Sequence, residues 1–130
     1  MSKKKKALCM TSPVGIIVTF SKKMIYDEIG KEKFIGQILT RLNENREAYW
    51  MHTMHIKPKH EVIYCYILYD GKIQMRANIA GFEKGYPVIF LNRRTYTPNH
   101  WMILTAPVVV APFDIPMKGF QGFRYCAEMF

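Results

Sequence analysis

Apolar positions fall along the chain in short strand-like runs, with one stretch of helical spacing among them. Val14, Gly15, Ile16, Ile17, Val18, Thr19 and Phe20 make a β-branched, almost wholly apolar run, the pattern of a buried strand. From Lys31 to Tyr49 the period changes. Phe34, Ile35, Ile38, Leu39 and Leu42 share one helical face, with Lys33, Gln37, Arg41 and Glu44 opposite. That spacing predicts the chain's main amphipathic helix, whose last turn Asn43 and Asn45 weaken.

Two further runs, Glu61–Tyr69 and Lys72–Ala80, flank Asp70-Gly71. Asp-Gly between apolar strands predicts a type I′ hairpin, because that turn needs φ > 0 at both central residues. Alternation puts Ile63, Cys65, Ile67 and Tyr69 on one face and Val62, Tyr64, Tyr66 and Leu68 on the other. Both faces are apolar, as in a central strand. In the partner, Ile73, Met75, Ala77 and Ile79 alternate with Lys72, Gln74, Arg76 and Asn78, which predicts one wet face. Val88–Leu91, Trp101–Leu104 and Phe120–Tyr125 add strands, and Pro107, Pro112 and Pro116 punctuate the stretch between the last two. The expected class is α+β: a small, mostly-β pseudo-barrel of about six strands with one main flanking helix. Residues 1–12 read as a basic flexible tail and 13–130 as a single domain, within the usual domain size.

Composition sharpens this picture. Hydrophobic residues are 49% and aromatics 14% of the 130 residues, which excludes a disordered chain. No apolar run approaches the ~18–20 residues that cross a bilayer, and no signal-peptide pattern follows the charged start. A soluble, cytoplasmic protein without a membrane partner is expected. The net charge of +9 favours a polyanionic partner. Lys3 to Lys6 supply part of it as a solvated tail. Lys57, Lys59, Arg76, Arg93, Arg94, Lys118 and Arg124 lie in or beside the expected sheet. Cys9, Cys65 and Cys126 form neither a disulfide framework nor a zinc pattern. His52, His55, His60 and His100 have no cysteine or carboxylate in register to complete a metal site. No metal and no cofactor is expected.

The block Pro116-Met117-Lys118-Gly119-Phe120-Gln121-Gly122-Phe123-Arg124-Tyr125 mixes glycine, aromatic rings and positive charge, a composition suited to a nucleic-acid surface. Phe120 and Phe123 are three positions apart, so regular alternation sends them to opposite faces; Lys118 and Arg124 are its functional residues. Arg93 and Arg94 with Tyr96 form a basic loop with an aromatic neighbour, either a phosphate contact or a solvated turn. Trp50 beside His52 and His55 could stack a base or plug a barrel end. Arg76 and Asn78 carry groups that read base edges, or they pair across strands. For chemistry the chain is thin: no G-x-S-x-G, Walker loop or G-x-G-x-x-G occurs. Lys22, Lys23 and Glu61 are the weak candidates for a lysine–carboxylate pair, with Thr19 as nucleophile or orienter.

Glu61-Val62-Ile63-Tyr64-Cys65-Tyr66-Ile67 running into Gly71-Lys72-Ile73 and Arg76-Ala77-Asn78-Ile79, with Trp101–Leu104 and the Lys118–Tyr125 ending, resembles the PUA-like superfamily of PUA, ASCH and EVE domains. The likeness covers roughly half the chain. It implies a pseudo-barrel that cradles RNA, DNA or a modified base in a cleft beside the Lys31–Tyr49 helix. The G-x-K-x-x-E-x-R-like element of ASCH domains is missing, Gly30-Lys31-Glu32-Lys33 coming nearest. Binding of nucleic acid, RNA ahead of DNA, without catalysis is therefore the expected function. An ASCH-type amidohydrolase acting on a modified nucleoside, and a small phage-type or accessory module with a protein partner, are the alternatives.

Overall fold

In the computed structural model, residues 13–21, 41–45, 47–89 and 93–130 are described. The Asp70-Gly71 turn is as the sequence implies: both residues have positive φ, 55° and 84°. The described strands are β1 (Gly15–Thr19), β2 (Trp50–Met54), β3 (Tyr64–Tyr69), β4 (Lys72–Lys84), β5 (Val88–Ile89), β6 (Thr95–Tyr96), β7 (His100–Val110) and β8 (Phe123–Cys126). Six of them form one curled, half-barrel sheet in the order β2-β7-β4-β3-β1-β8, and β5 and β6 pair separately. Only the β1–β3 pair is parallel among them.

β3 sits near the middle of this sheet and is buried on both sides. Cys65 and Ile67 face an inner core with Ile16, Val18, Phe20, Met75, Ala77, Met102 and Leu104. Tyr66 and Leu68 face an outer core with Ile17 and Ile73, covered by Ile115, Met117, Phe120, Met129 and Phe130. All four central β3 side chains are fully buried, so the two-faced apolar pattern of this run has the expected consequence.

Four expectations need correction. Ile73 does not share a face with Met75. The register shifts between Ile67, opposite Met75, and Leu68, opposite Ile73, leaving Gln74 as the extra residue of a bulge. A bulge reverses the alternation beyond it, and Ile73 turns to the outer core. Gln74 uses its amide to donate to the Tyr69 carbonyl at 2.7 Å. Second, β7 is not cut short before the prolines. It continues through Pro107 to Val110, and its register against β4 shifts between Arg76 and Asn78. The irregularity accommodates Pro107, which has no N–H to give a ladder. Third, the last strand starts at Phe123, after Gly122 at φ 78°.

The fourth concerns the helix. Residues 31–40 of the expected Lys31–Tyr49 helix lie outside the described residues, as do residues 1–12 of the expected tail. Among its described remaining residues none is α-helical: a 3-10 turn, Arg41–Asn43, is followed by turns at Glu44 and Glu47 before β2 begins at Trp50. Leu42 is buried in the inner core. Asn43 leaves the helical pattern because its side chain has a better use. It donates to the Val108 carbonyl at 2.9 Å and accepts from the Val108 N–H at 2.7 Å, satisfying both groups at the β7 irregularity. The described residues are thus mostly β, with almost no helix.

Gly15 lies where β1 meets β3. A Cβ there would stand 2.9 Å from the Tyr64 carbonyl oxygen and 3.2 Å from both Tyr64 Cβ and Tyr66 Cε2. Gly15→Ala is expected to cost about 1–3 kcal/mol by overpacking, seen as a lower urea midpoint at unchanged slope.

Candidate nucleic-acid interface

Strand pairing brings distant basic residues into one line. Ile17 lies opposite Arg124 on one side and Tyr66 on the other, and Tyr66 lies opposite Arg76. Arg124, Ile17, Tyr66 and Arg76 therefore form a cross-strand row on the outer face. Three strand spacings separate its arginines, about 14 Å. The neighbouring row, two residues along, is Cys126, Gly15, Tyr64 and Asn78.

Each arginine rests on an aromatic ring. The Arg124 guanidinium lies 4.1 Å from the centre of Phe120, whose N–H donates to Thr19 Oγ1 at 3.1 Å. That of Arg76 lies 4.2 Å from the centre of Tyr64 and 5.8 Å from that of Phe130. Such contacts hold the charge flat against the ring. Arg124 is exposed, as is Lys118 just before Phe120. Arg76 is mostly covered: its side chain is 13% exposed. Its Nη1 donates to the Phe130 carbonyl oxygen, and the Glu128 carboxylate stands 4.0 Å away. Arg76 Nε and Asn78 Oδ1 are buried without a partner.

The inner face carries a second feature. Val18, His52, Met54, Ile56, Phe120 and Phe123 are among the residues lining a cleft of about 770 Å³ that spans from β1 and β8 to β2. No lysine, arginine or carboxylate lines it among the described residues. His52 stacks on Phe20 at 4.5 Å with the rings nearly parallel, and Trp50 stacks on the same ring at 6.4 Å. His52 Nδ1 and Trp50 Nε1 have no hydrogen-bond partner. Burial lowers the His52 pKa from 6.5 to about 4, so the ring is neutral near pH 7. Beside the cleft, the Tyr125 hydroxyl accepts from the N–H groups of Lys59 and His60 at 2.8 and 3.1 Å. These bonds tie the β2–β3 connection to β8. The cleft's apolar and aromatic lining suits an uncharged planar group, with Thr19, Thr53 and Gln121 among its polar residues.

The residues singled out in the sequence are thus dispersed. Arg76, Asn78, Arg124 and Lys118 gather on or beside the outer face, and Trp50 belongs to the inner one. Arg93 and Arg94 are exposed in the β5–β6 connection, Arg93 at φ 67°. Tyr96 pairs with Val88 and borders a small pocket with His55 and Asn99. This group stands apart from the outer row. Phe120 packs against the outer core and Phe123 against the inner one, while both reach the edge of the cleft. Lys22 and Lys23 lie outside the described residues. Glu61 precedes β3, whereas Thr19 ends β1. Because the strands are parallel, with Gly15 opposite Tyr64 and Thr19 opposite Leu68, these two stand at opposite ends of the pair. Tyr64, Phe113 and Phe130 are the outer-face residues that sequence reasoning did not assign to a site; the period-two pattern already placed Tyr64 beside Tyr66.

No cluster of His, Cys, Asp and Glu among the described residues could hold a metal ion. No family model, curated protein or solved structure matches the chain.

The His52 environment predicts a specific pH response. Above pH 6.5 the ring is neutral both folded and unfolded, and stability does not depend on it. Between pH 6.5 and about 4 the unfolded chain takes up a proton that the folded chain refuses. Stability falls over that window by about 3 kcal/mol and levels off below it. Urea unfolding at several pH values should show this loss diminished by that amount in His52→Phe.

Proposed function

We propose that this protein binds single-stranded nucleic acid, RNA in preference to DNA, over the covered outer face where Arg124 and Lys118 are exposed, and without chemistry of its own. The observation that carries the reading is the row with Arg124 and Arg76 at its ends, each guanidinium laid on an aromatic ring, on a chain of charge +9. The middle of the row, Ile17 and Tyr66, is buried beneath the covering segments. Guanidiniums suit phosphate oxygens, which they contact in charge-assisted, often bidentate fashion. Rings such as Phe120 and Tyr64 suit bases, since every base has a π-face to stack. The preference for RNA rests on Asn78 Oδ1, a buried acceptor without a partner that a ribose 2′-hydroxyl can satisfy and deoxyribose cannot. The separation of Glu61 from Thr19 favours binding over hydrolysis. The PUA-like resemblance belongs to the same proposal, as does action in the cytoplasm; no helix of the described residues is long and apolar enough to cross a membrane.

Fluorescence anisotropy with short single-stranded RNA and DNA tests this directly. Binding should be detectable at about 50 mM salt and fall steeply by about 200 mM. Arg124→Gln should weaken it for every sequence and reduce the salt slope by about 0.7. Arg93→Gln and Arg94→Gln should leave affinity within about twofold, since such exposed side chains stand off the row. Absence of binding at low salt, or a loss confined to the Arg93 and Arg94 variants, would overturn the reading.

A further inference from the structure

The Arg76 end of the outer row is already occupied, and by the chain itself. The Tyr66 hydroxyl accepts from the Met129 N–H at 2.9 Å and donates to the Phe130 carbonyl oxygen at 3.3 Å. Arg76 donates to that same carbonyl oxygen. The Phe130 ring meets Tyr66 edge-on at 5.2 Å and Phe113 at 6.4 Å. One aromatic ring and one oxygen acceptor are thus held by a guanidinium, a phenol and flanking aromatics. A base with its phosphate presents the same two kinds of group.

The fit is incomplete. Arg76 Nε is sealed in without an acceptor and Asn78 Oδ1 without a donor, and the Glu128 carboxylate comes no nearer to Arg76 than 4.0 Å. Buried polar groups left unpaired are costly, so a ligand that supplies both has an advantage over the segment now in place. A phosphate has oxygens for more than one guanidinium N–H, and a hydroxyl or amine beside it would serve Asn78.

We infer that Met129 and Phe130 act as an intramolecular stand-in for nucleic acid, occupying the Arg76 end of the row until a bound strand displaces them. This rests on the nucleic-acid reading above. In the closed state Arg124 makes the first contact and Arg76 is withheld. Opening extends the contact along the row and adds a phosphate. The closed population lowers the apparent affinity by the fraction of molecules that are open.

Two variants release the segment while keeping Arg76, Asn78 and Arg124. Tyr66→Phe removes the hydroxyl that holds both main-chain groups, and Phe130→Ala removes the ring. Each should bind single-stranded RNA more tightly, on the order of tenfold, with a salt slope steeper by about 0.7 for the added phosphate. Arg76→Gln placed in the Phe130→Ala background should return affinity and slope to those of the original protein. Amide hydrogen exchange at Met129 should quicken in Tyr66→Phe without any ligand. If both variants fold and bind no more tightly than the original, the stand-in role is wrong while the nucleic-acid reading survives. If neither the original nor the variants bind RNA at low salt, the nucleic-acid reading falls and takes this inference with it.

Discussion

The six-stranded sheet and both its cores lean on β3. Its central residues, Cys65, Tyr66, Ile67 and Leu68, are fully buried, and alternate ones enter different cores. A strand covered on both sides must have a layer above and a layer below, and the chain supplies both. The inner layer comes from the curl of the sheet itself, which gathers Met54, Met102 and Leu104 into one core with Ile67. The outer layer comes from the segments around Ile115, Met117 and Phe120 and from Met129 and Phe130. Burial of several large side chains, at ~25 cal/mol per Å² of apolar surface, holds each layer against the strand. Neither layer can be lost without exposing Tyr66 or Ile67.

The two faces differ in what they leave over. The inner face closes around aromatic rings and a neutral histidine, and among the described residues no lysine, arginine or carboxylate lines its cleft. The outer face has arginines at the ends of its row because β4 and β8 lie on either side of the β3–β1 pair. Arg76 and Arg124 owe their alignment to strand order and register, and each owes its posture to a ring beneath it. Burial of Arg76 under Phe130 makes the two arginines unequal: one meets solvent, the other a carbonyl oxygen.

Local patterns in the sequence carried the hairpin faithfully. Asp70-Gly71 needs only its own two residues to specify the turn, and the apolar pattern of Cys65 to Leu68 needs only its neighbours. The shared face of Arg76 and Asn78 follows from the same period of two. What escaped were features fixed between strands. The turn of Ile73 to the outer core depends on a bulge at Gln74, which alternation within one strand cannot reveal. Arg124 and Arg76 come into line only once β1 is known to lie between β8 and β3. Asn43 read as a helix-weakening residue, yet its amide is spent on Val108, a partner far along the chain. Met129 and Phe130 show no periodicity, and their role appears only with Tyr66 above them.

The pairing of β1 with both β3 and β8 has a consequence for assembly. Among the described strands, β8 pairs with β1 alone, so two strands far apart in sequence complete each other. Such pairings close large loops and form late, since their entropy is spent before their contacts are gained. Ile17 meets Arg124 only after β2 to β7 have intervened along the chain. The charged row therefore depends on a contact of long sequence separation: the β3–β4 hairpin closes on neighbouring residues alone, and pairs no arginines until β1 and β8 have joined it.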